Sequence, residues 1–176
     1  EIGRLNTDCP TIAVSDGLGI MMMFPRILSA AAQRRLQAHL KKGGLVAYPT
    51  ESCYGLGCIP TLPKALNQLI HLKKRPQHKG MIVIGHSLEQ LQPLLQRPSE
   101  NIQTMLHKAW PAPKTFLLPV GKKVLPSLRG KGRSKLAVRV PAHAGSRRLC
   151  QVLEMPLVST SCNRAGKRAC KTEREV

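Results

Sequence analysis

Apolar residues along this chain recur at helical spacing in some stretches and in short unbroken runs in others, and the two kinds alternate from about residue 29 to residue 160. Ser29 precedes a stretch over residues 30–42 with Leu36 and Leu40 on one side and Gly43-Gly44 behind it, which predicts a capped helix ending at glycine. Residues 45–48 then read as a buried strand that delivers the turn Pro49-Thr50-Glu51-Ser52. Pro63 opens a second helix with Leu66, Leu69, Ile70 and Leu72 as its apolar face, and Pro76 is expected to force Arg75 out of helical geometry. Residues 81–84 read as the next strand. Ser87 with Gln90 makes a capping box for a helix carrying Leu91, Leu94 and Leu95 and kinked at Pro93, and Ser99 caps another that ends near Trp110. Residues 115–120 and 136–140 read as strands, 146–153 as a helix and 157–160 as a strand. Such alternation predicts an α/β fold: a twisted, mixed, partly parallel sheet flanked by helices.

A length of 176 residues with 42% hydrophobic content fits one domain with its own core. No internal repeat or low-complexity run divides it. Residues 1–20 show no sustained period, so residues 1–22 are expected to be an N-terminal extension, with a native start at Met21, Met22 or Met23 and a single domain over 23–176. Thr172 with Glu175 forms another capping box, yet only Val176 follows; the domain is expected to be incomplete at its C-terminus. Residues 21–28 are too short, and too interrupted by Pro25 and Arg26, to span a bilayer, and no membrane role is expected. The six cysteines, Cys9, Cys53, Cys58, Cys150, Cys162 and Cys170, contain no CxxC pair, which argues against a metal site and for a reduced, cytoplasmic protein.

Charge narrows the chemistry. Twenty-eight Lys and Arg face nine Asp and Glu, a net charge of +19, so the summed field attracts polyanions such as nucleotides or RNA. Both aspartates, Asp8 and Asp16, lie in the N-terminal stretch, which leaves almost nothing from which to build opposed catalytic carboxylates or a two-metal cluster.

Four groups of residues could carry chemistry. Thr50 and Ser52 supply hydroxyls at a strand end, where open α/β sheets bind ligands, with Glu51 as the only acid of that turn. Lys73 and Arg75, followed by Lys79, put a point charge and a planar fork at a helix exit, where both can turn toward one phosphate-bearing ligand; the plainer alternative is that they simply favour the negative end of the helix dipole. Arg139 is the one charge within the apolar strand Leu136-Ala137-Val138-Arg139-Val140, and a buried arginine needs an anionic partner such as a ligand carboxylate. Ser161 and Asn163 alternate onto one side just past residues 157–160, although an Asx or Ser turn closing the strand reads equally well. Gly55 and Gly57 admit a close approach to the backbone, and Tyr54 is either core or ligand contact. Cys53 has no histidine evidently related to it, and His71, His78, His86, His107 and His143 are scattered and read as mostly solvated.

Taken together, Tyr48-Pro49-Thr50-Glu51-Ser52-Cys53-Tyr54-Gly55-Leu56-Gly57, Lys73-Lys74-Arg75-Pro76, Leu136-Ala137-Val138-Arg139-Val140-Pro141 and Ser159-Thr160-Ser161-Cys162-Asn163 resemble the YrdC family, also called TsaC or RimN, in order and spacing from about residue 24 to residue 176. The resemblance is closest to the short form of the family. It implies a YrdC-like sheet with a large basic cavity and a threonylcarbamoyl-AMP synthase. Bicarbonate and L-threonine would form N-carboxythreonine, whose carboxylate attacks the α-phosphate of ATP and releases pyrophosphate. The product would pass to a downstream transferase complex that modifies tRNA. Residue by residue, the resemblance implies Lys73 and Arg75 as the catalytic pair, with Arg75, Lys79, Asn163 and Thr115 at ATP. Thr50, Ser52, Tyr54, Arg139 and Ser161 would be at L-threonine, no metal would be held by the protein, and Mg2+ would ride on the phosphates. Two departures stand out: Pro111-Ala112-Pro113-Lys114-Thr115 where relatives have Pro-Gly-Pro-x-Thr, and Lys135 where relatives often have Ser or Thr, with Ser134 beside it.

The competing expectation is a non-catalytic module that binds double-stranded RNA or tRNA through phosphates. Single-strand stacking is disfavoured by an aromatic content of 3%. A carbamoyl-transferring relative of the same fold is a third alternative.

Overall fold

The computed structural model describes residues 28–163, 166–171 and 175, together with the backbone of 12–15 and 21–24. Cys9, Asp8, Asp16 and Thr172 lie outside the described residues.

Eight strands form one mixed sheet in the order β2-β1-β3-β4-β8-β5-β7-β6. They are β1 (Ile12–Ser15), β2 (Met21–Phe24), β3 (Leu45–Pro49), β4 (Tyr54–Gly57), β5 (Ile82–Ile84), β6 (Phe116–Pro119), β7 (Lys135–Arg139) and β8 (Leu157–Ser161). Only β5 and β7 pair in parallel; every other pairing is antiparallel. The helices are α1 (Ala30–Lys41), α2 (Pro63–Lys73), α3 (Leu88–Leu91), α4 (Glu100–Ala109), α5 (Pro126–Arg129) and α6 (Ala144–Leu153), with a 3-10 turn at Gln92–Leu94. Among the described residues no helix is long and apolar enough to cross a membrane.

Helix termini follow the sequence in part: Ser99 stands at the N-cap of α4, but its side chain makes no cap hydrogen bond among the described residues. The Ser29 hydroxyl accepts the Ala32 N–H at 3.2 Å, and Leu36 and Leu40 are fully buried. Ser87 caps α3 by accepting from Gln90 N, but the Gln90 side chain accepts the His86 N–H at 2.8 Å instead of closing the reciprocal bond to Ser87. Pro93 falls in the 3-10 turn, which ends the helix rather than kinking it. At the end of α2 the chain reverses one residue before the position expected from Pro76. Lys74 is left-handed (φ 49°), its N–H bonds His71 O and the Arg75 N–H bonds Ile70 O, a Schellman closure built on lysine rather than glycine. Leu72, expected in the apolar face, is 48% exposed.

Strand alternation sorts side chains between two cores. Leu45, Ala47, Tyr54, Leu56, Val83, Leu136, Val138 and Val158 point to one face, where α2 to α5 cover them with Ala65, Leu66, Leu69, Leu88, Leu91, Leu106 and Leu128. Val46, Tyr48, Ile84 and Leu157 point to the other, covered by Leu36 and Leu40 of α1 and Leu149, Cys150 and Leu153 of α6. Those two helices reach only part of that face. Over β7, β6 and the C-terminal end of β8 it is more open: Leu117 is 61% exposed, Lys135 is exposed, and Ala137, Arg139, Ser159 and Ser161 are half-buried.

Gly55 and Gly57 face Tyr48. A Cβ on Gly57 would meet Val158 O at 2.4 Å and the Tyr48 ring at 3.0 Å, so the glycines let the Tyr48 ring lie across β4 with its hydroxyl donating to Val158 O at 3.2 Å. Gly57→Ala is therefore expected to lower unfolding free energy by about 2 kcal/mol or more in urea titration, because backbone must move to admit the methyl group.

Candidate functional site

The open part of the sheet carries two clefts that share Ile82. The smaller, of about 240 Å3, is lined by Thr50, Glu51 and Ser52 of the β3–β4 turn, by Arg139 of β7 and by Ser159 of β8. The Thr50 N–H and hydroxyl both donate to Cys53 O, at 3.0 and 2.7 Å, which closes the turn and presents Glu51 and Ser52 outward. Arg139 is half-buried, and its Nε donates to Thr115 Oγ1 at 2.9 Å. Behind the turn, His143 caps α6: its Nδ1 accepts the Ser146 N–H at 3.1 Å, and its own backbone N–H donates to Glu51 Oε1 at 3.3 Å. That histidine is structural, not solvated, and His86, half-buried with Nδ1 unpartnered among the described residues, departs from the expectation too.

The larger cleft, of about 350 Å3, is lined by Gly80, Arg129, Arg133, Ser134 and Lys135 among others, and no acid is among its lining residues. Its wall is the loop after α5. Gly130 adopts φ 90°, where a Cβ would strike His78 O at 2.7 Å and Gly80 N at 2.9 Å, so glycine allows this basic loop to lie against residues 78–80. The Lys131 N–H donates to Gln77 O at 3.2 Å, and Arg129 Nη1 donates to Arg133 O. Arg75 stands at the same segment, its Nη2 donating to Gly80 O at 2.7 Å and its Nε to Lys79 O at 3.4 Å, while Lys79 itself is exposed.

Between α2 and the sheet lies a third cluster. Lys73 is 3% exposed, and its Nζ donates to Ser161 O, to Asn163 O at 2.6 Å and to Asn163 Oδ1 at 3.2 Å. The Ser161 hydroxyl donates to the same Oδ1 at 2.5 Å, and Asn163 Nδ2 donates to Lys167 O. Burial, then the Arg75 guanidinium, lowers the Lys73 pKa from the usual lysine value, while its carbonyl acceptors favour the charged form. Burial likewise lowers that of Arg75. Lys73 and Arg75 therefore diverge in their contacts: Lys73 holds the turn after β8, and Arg75 faces residues 79–80.

Of the residues singled out from sequence, Thr50, Ser52 and Arg139, with Thr115 on its guanidinium, gather at the small cleft. Lys73, Ser161 and Asn163 form one hydrogen-bonded cluster, and Arg75 and Lys79 sit beside the large cleft. Tyr54 is packed in the core at 7% exposure. Cys53 is half-buried, with Ser52 Oγ 4.0 Å from its sulfur. Arg129, Arg133 and Ser159 were missed. The first two had a legible signal in Arg129-Gly130-Lys131-Gly132-Arg133, cations punctuated by glycine, and Ser159 shares its strand face with Ser161. At the two departures from the YrdC pattern, the Ala112 N–H donates to Val140 O at 3.0 Å with its side chain against the core, and Lys135 opens β7 and is exposed at the large cleft.

Comparisons with known proteins bear on the family and the fold. A threonylcarbamoyl-AMP synthase of Neisseria meningitidis is 78% identical over 155 residues, covering 88% of this chain and 82% of that protein. One of Chromobacterium violaceum is 46% identical over 150 residues, covering 85% and 77%. The crystal structure of P. abyssi Sua5 complexed with L-threonine superposes with a TM-score of 0.73 at 31% identity; the match covers 82% of this chain and spans less than half, 42%, of Sua5. Residues 38–176 match the Sua5/YciO/YrdC family model, described as "Telomere recombination". The chain belongs to the Sua5/YciO/YrdC family.

Proposed function

We propose that this chain makes threonylcarbamoyl-AMP from L-threonine, bicarbonate and ATP, releasing pyrophosphate, and so supplies the threonylcarbamoyl group for tRNA modification by a downstream transferase complex. One observation carries the reading: two clefts of different chemistry meet at Ile82. The smaller offers hydroxyls and a guanidinium suited to a small amino acid, and the larger offers cations without an acid, suited to a triphosphate.

In this reading Arg139 takes the threonine carboxylate, with Thr50, Ser52 and Ser161 around the amino acid. Arg75 and Lys79 take the phosphates, joined by Arg129 and Arg133, with Thr115 and Asn163 also at ATP. The attacking group is the carboxylate of N-carboxythreonine, already an anion, so no general base is needed to activate it. Attack at the α-phosphate moves negative charge onto the departing pyrophosphate, and the chain's contribution is alignment of the two substrates and cations placed where that charge grows. Glu51 is the only carboxylate lining either cleft, so the residues present do not form a Mg2+ cage, and the ion would travel on the phosphates. Lys73 acts by fixing the Ser161–Asn163 turn.

Pyrophosphate release from ATP and bicarbonate is expected to require L-threonine; release that ignores threonine, or no release with tight, steeply salt-dependent RNA binding, would favour a binding module instead. Arg75→Ala and Ser161→Ala should each reduce turnover at least about a hundredfold with folding retained, whereas Lys114→Ala should change little. Lys73→Met should also lose turnover, and in contrast should lower stability by about 1–3 kcal/mol in denaturant titration, since Ser161 O and both oxygens of Asn163 lose their shared donor.

A further inference from the structure

Two free thiols lie against each other at the end of β8. Cys162, between Ser161 and Asn163, is buried in the core covered by α2 to α5, and Cys170 packs against the same core from the segment that follows. A closed cycle of backbone hydrogen bonds holds the pair: the Cys162 N–H donates to Tyr54 O at 2.8 Å, the Tyr54 N–H to Cys170 O at 2.8 Å, and the Cys170 N–H to Cys162 O at 3.1 Å. That last bond limits the separation of the two Cα atoms to about 7 Å, the upper bound for a disulfide. The side chains turn toward each other as well, with the two thiols in hydrogen-bonding reach. Cys58 and Cys150, by contrast, are buried in separate cores.

The two thiols differ in access. Cys170 is half-buried, and the exposed Lys167, Arg168 and Lys171 around it in sequence attract an anionic reagent. Burial, then the neighbouring Cys170 thiol, pushes the Cys162 thiol up to about 12, while the Lys73 ammonium opposes the rise. Cys162 is therefore protonated and shielded from solvent, and its natural reaction partner is a sulfur already in contact with it. Cys170 is the thiol that meets an external oxidant.

We propose that Cys162 and Cys170 form a redox-sensitive pair that closes a reversible disulfide, with a small anionic disulfide of the glutathione type as oxidant, and so fastens the chain after β8 to the core. The Cys170 sulfur attacks one sulfur of the reagent, whose S–S bond breaks and releases one small thiol. The Cys162 sulfur then attacks the Cys170 sulfur and releases the second. Two protein thiols and one small disulfide become one protein disulfide and two small thiols, and the two protons leave on the released sulfurs. The ring so closed runs from residue 162 to residue 170 and contains Asn163, whose two oxygens Lys73 already holds, so the oxidised form restrains that turn from both sides. None of this depends on which ligand the clefts take.

The test is incubation of the chain in glutathione buffers of graded oxidation, folded and in urea, followed by alkylation of free thiols and mass-spectrometric peptide mapping. The expected result is a link between tryptic peptides 169–171 and 149–164, with no glutathione retained on Cys170. The ratio of linked to free pair should be about tenfold or more higher in the folded chain than in urea, because the fold holds the two sulfurs together. Cys150 shares peptide 149–164, so Cys162→Ala assigns the link: it should abolish it and leave glutathione on Cys170, and Cys170→Ser should abolish it too. Glutathione retained on Cys170 of the wild type, a link from Cys170 to Cys53, a link that survives Cys162→Ala, or a ratio no higher in the folded chain than in urea would each overturn the proposal.

Discussion

Lys73 ties the end of α2 to the end of β8, and the arrangement of the binding face depends on that one buried ammonium. Its three acceptors are a strand-terminal carbonyl and two oxygens of the residue two positions on, so a single donor group fixes both where β8 stops and how the chain turns away. A carboxylate would be the ordinary partner for a buried lysine. This chain has few, and carbonyl dipoles serve instead. They balance the charge only in part, which is why burial and Arg75 can lower the Lys73 pKa while it remains a donor. A cation neutralised by dipoles rather than by an acid leaves the net field of the site positive.

The second constraint is coverage. Two helices, α1 and α6, are too few to roof a face of eight strands, and they sit over β3 and its neighbours, leaving β7 and β6 bare. Polar residues at alternate positions of β7 and β8 match that exposure. Leu136 and Val138 point into one core, while Lys135 and Arg139 point to the uncovered side, so a period of two in the sequence becomes a lined cleft in space.

That period made much of the fold legible. The caps at Ser29 and Ser87 and the strands over β3, β5, β6, β7 and β8 follow from local chemistry, and their limits shift by a residue or two. What was not legible depends on distant partners. In Tyr54-Gly55-Leu56-Gly57 the glycines mark a close approach without saying what approaches; the Tyr48 ring does, across the strand β4. β1, in a stretch without sustained period, is a strand because it pairs with β3, and α5 is a single turn with no room for a pattern. At the site, hydroxyls and cations at strand and helix ends could be read from their positions. The separation of Lys73 from Arg75 could not, because spacing along α2 says nothing of the carbonyls at the end of β8. Glu51 shows the same limit: sequence marks it as the lone acid of a turn, and only the fold places it in one cleft with Arg139.

β8 lies in the interior of the sheet, hydrogen-bonded to β4 on one side and β5 on the other, and the site is built at its end. Opening that end would break pairings on both sides at once, so it belongs to the part of the molecule that comes apart last, on the scale of global unfolding rather than local fraying. In the proposed synthase, adaptation to a ligand would thereby be confined to the rim, namely the 49–53 turn and the glycine-rich loop at 129–133. The floor would then work as a fixed template, with selectivity among ligands left to short loops whose sequence can change without loss of the fold.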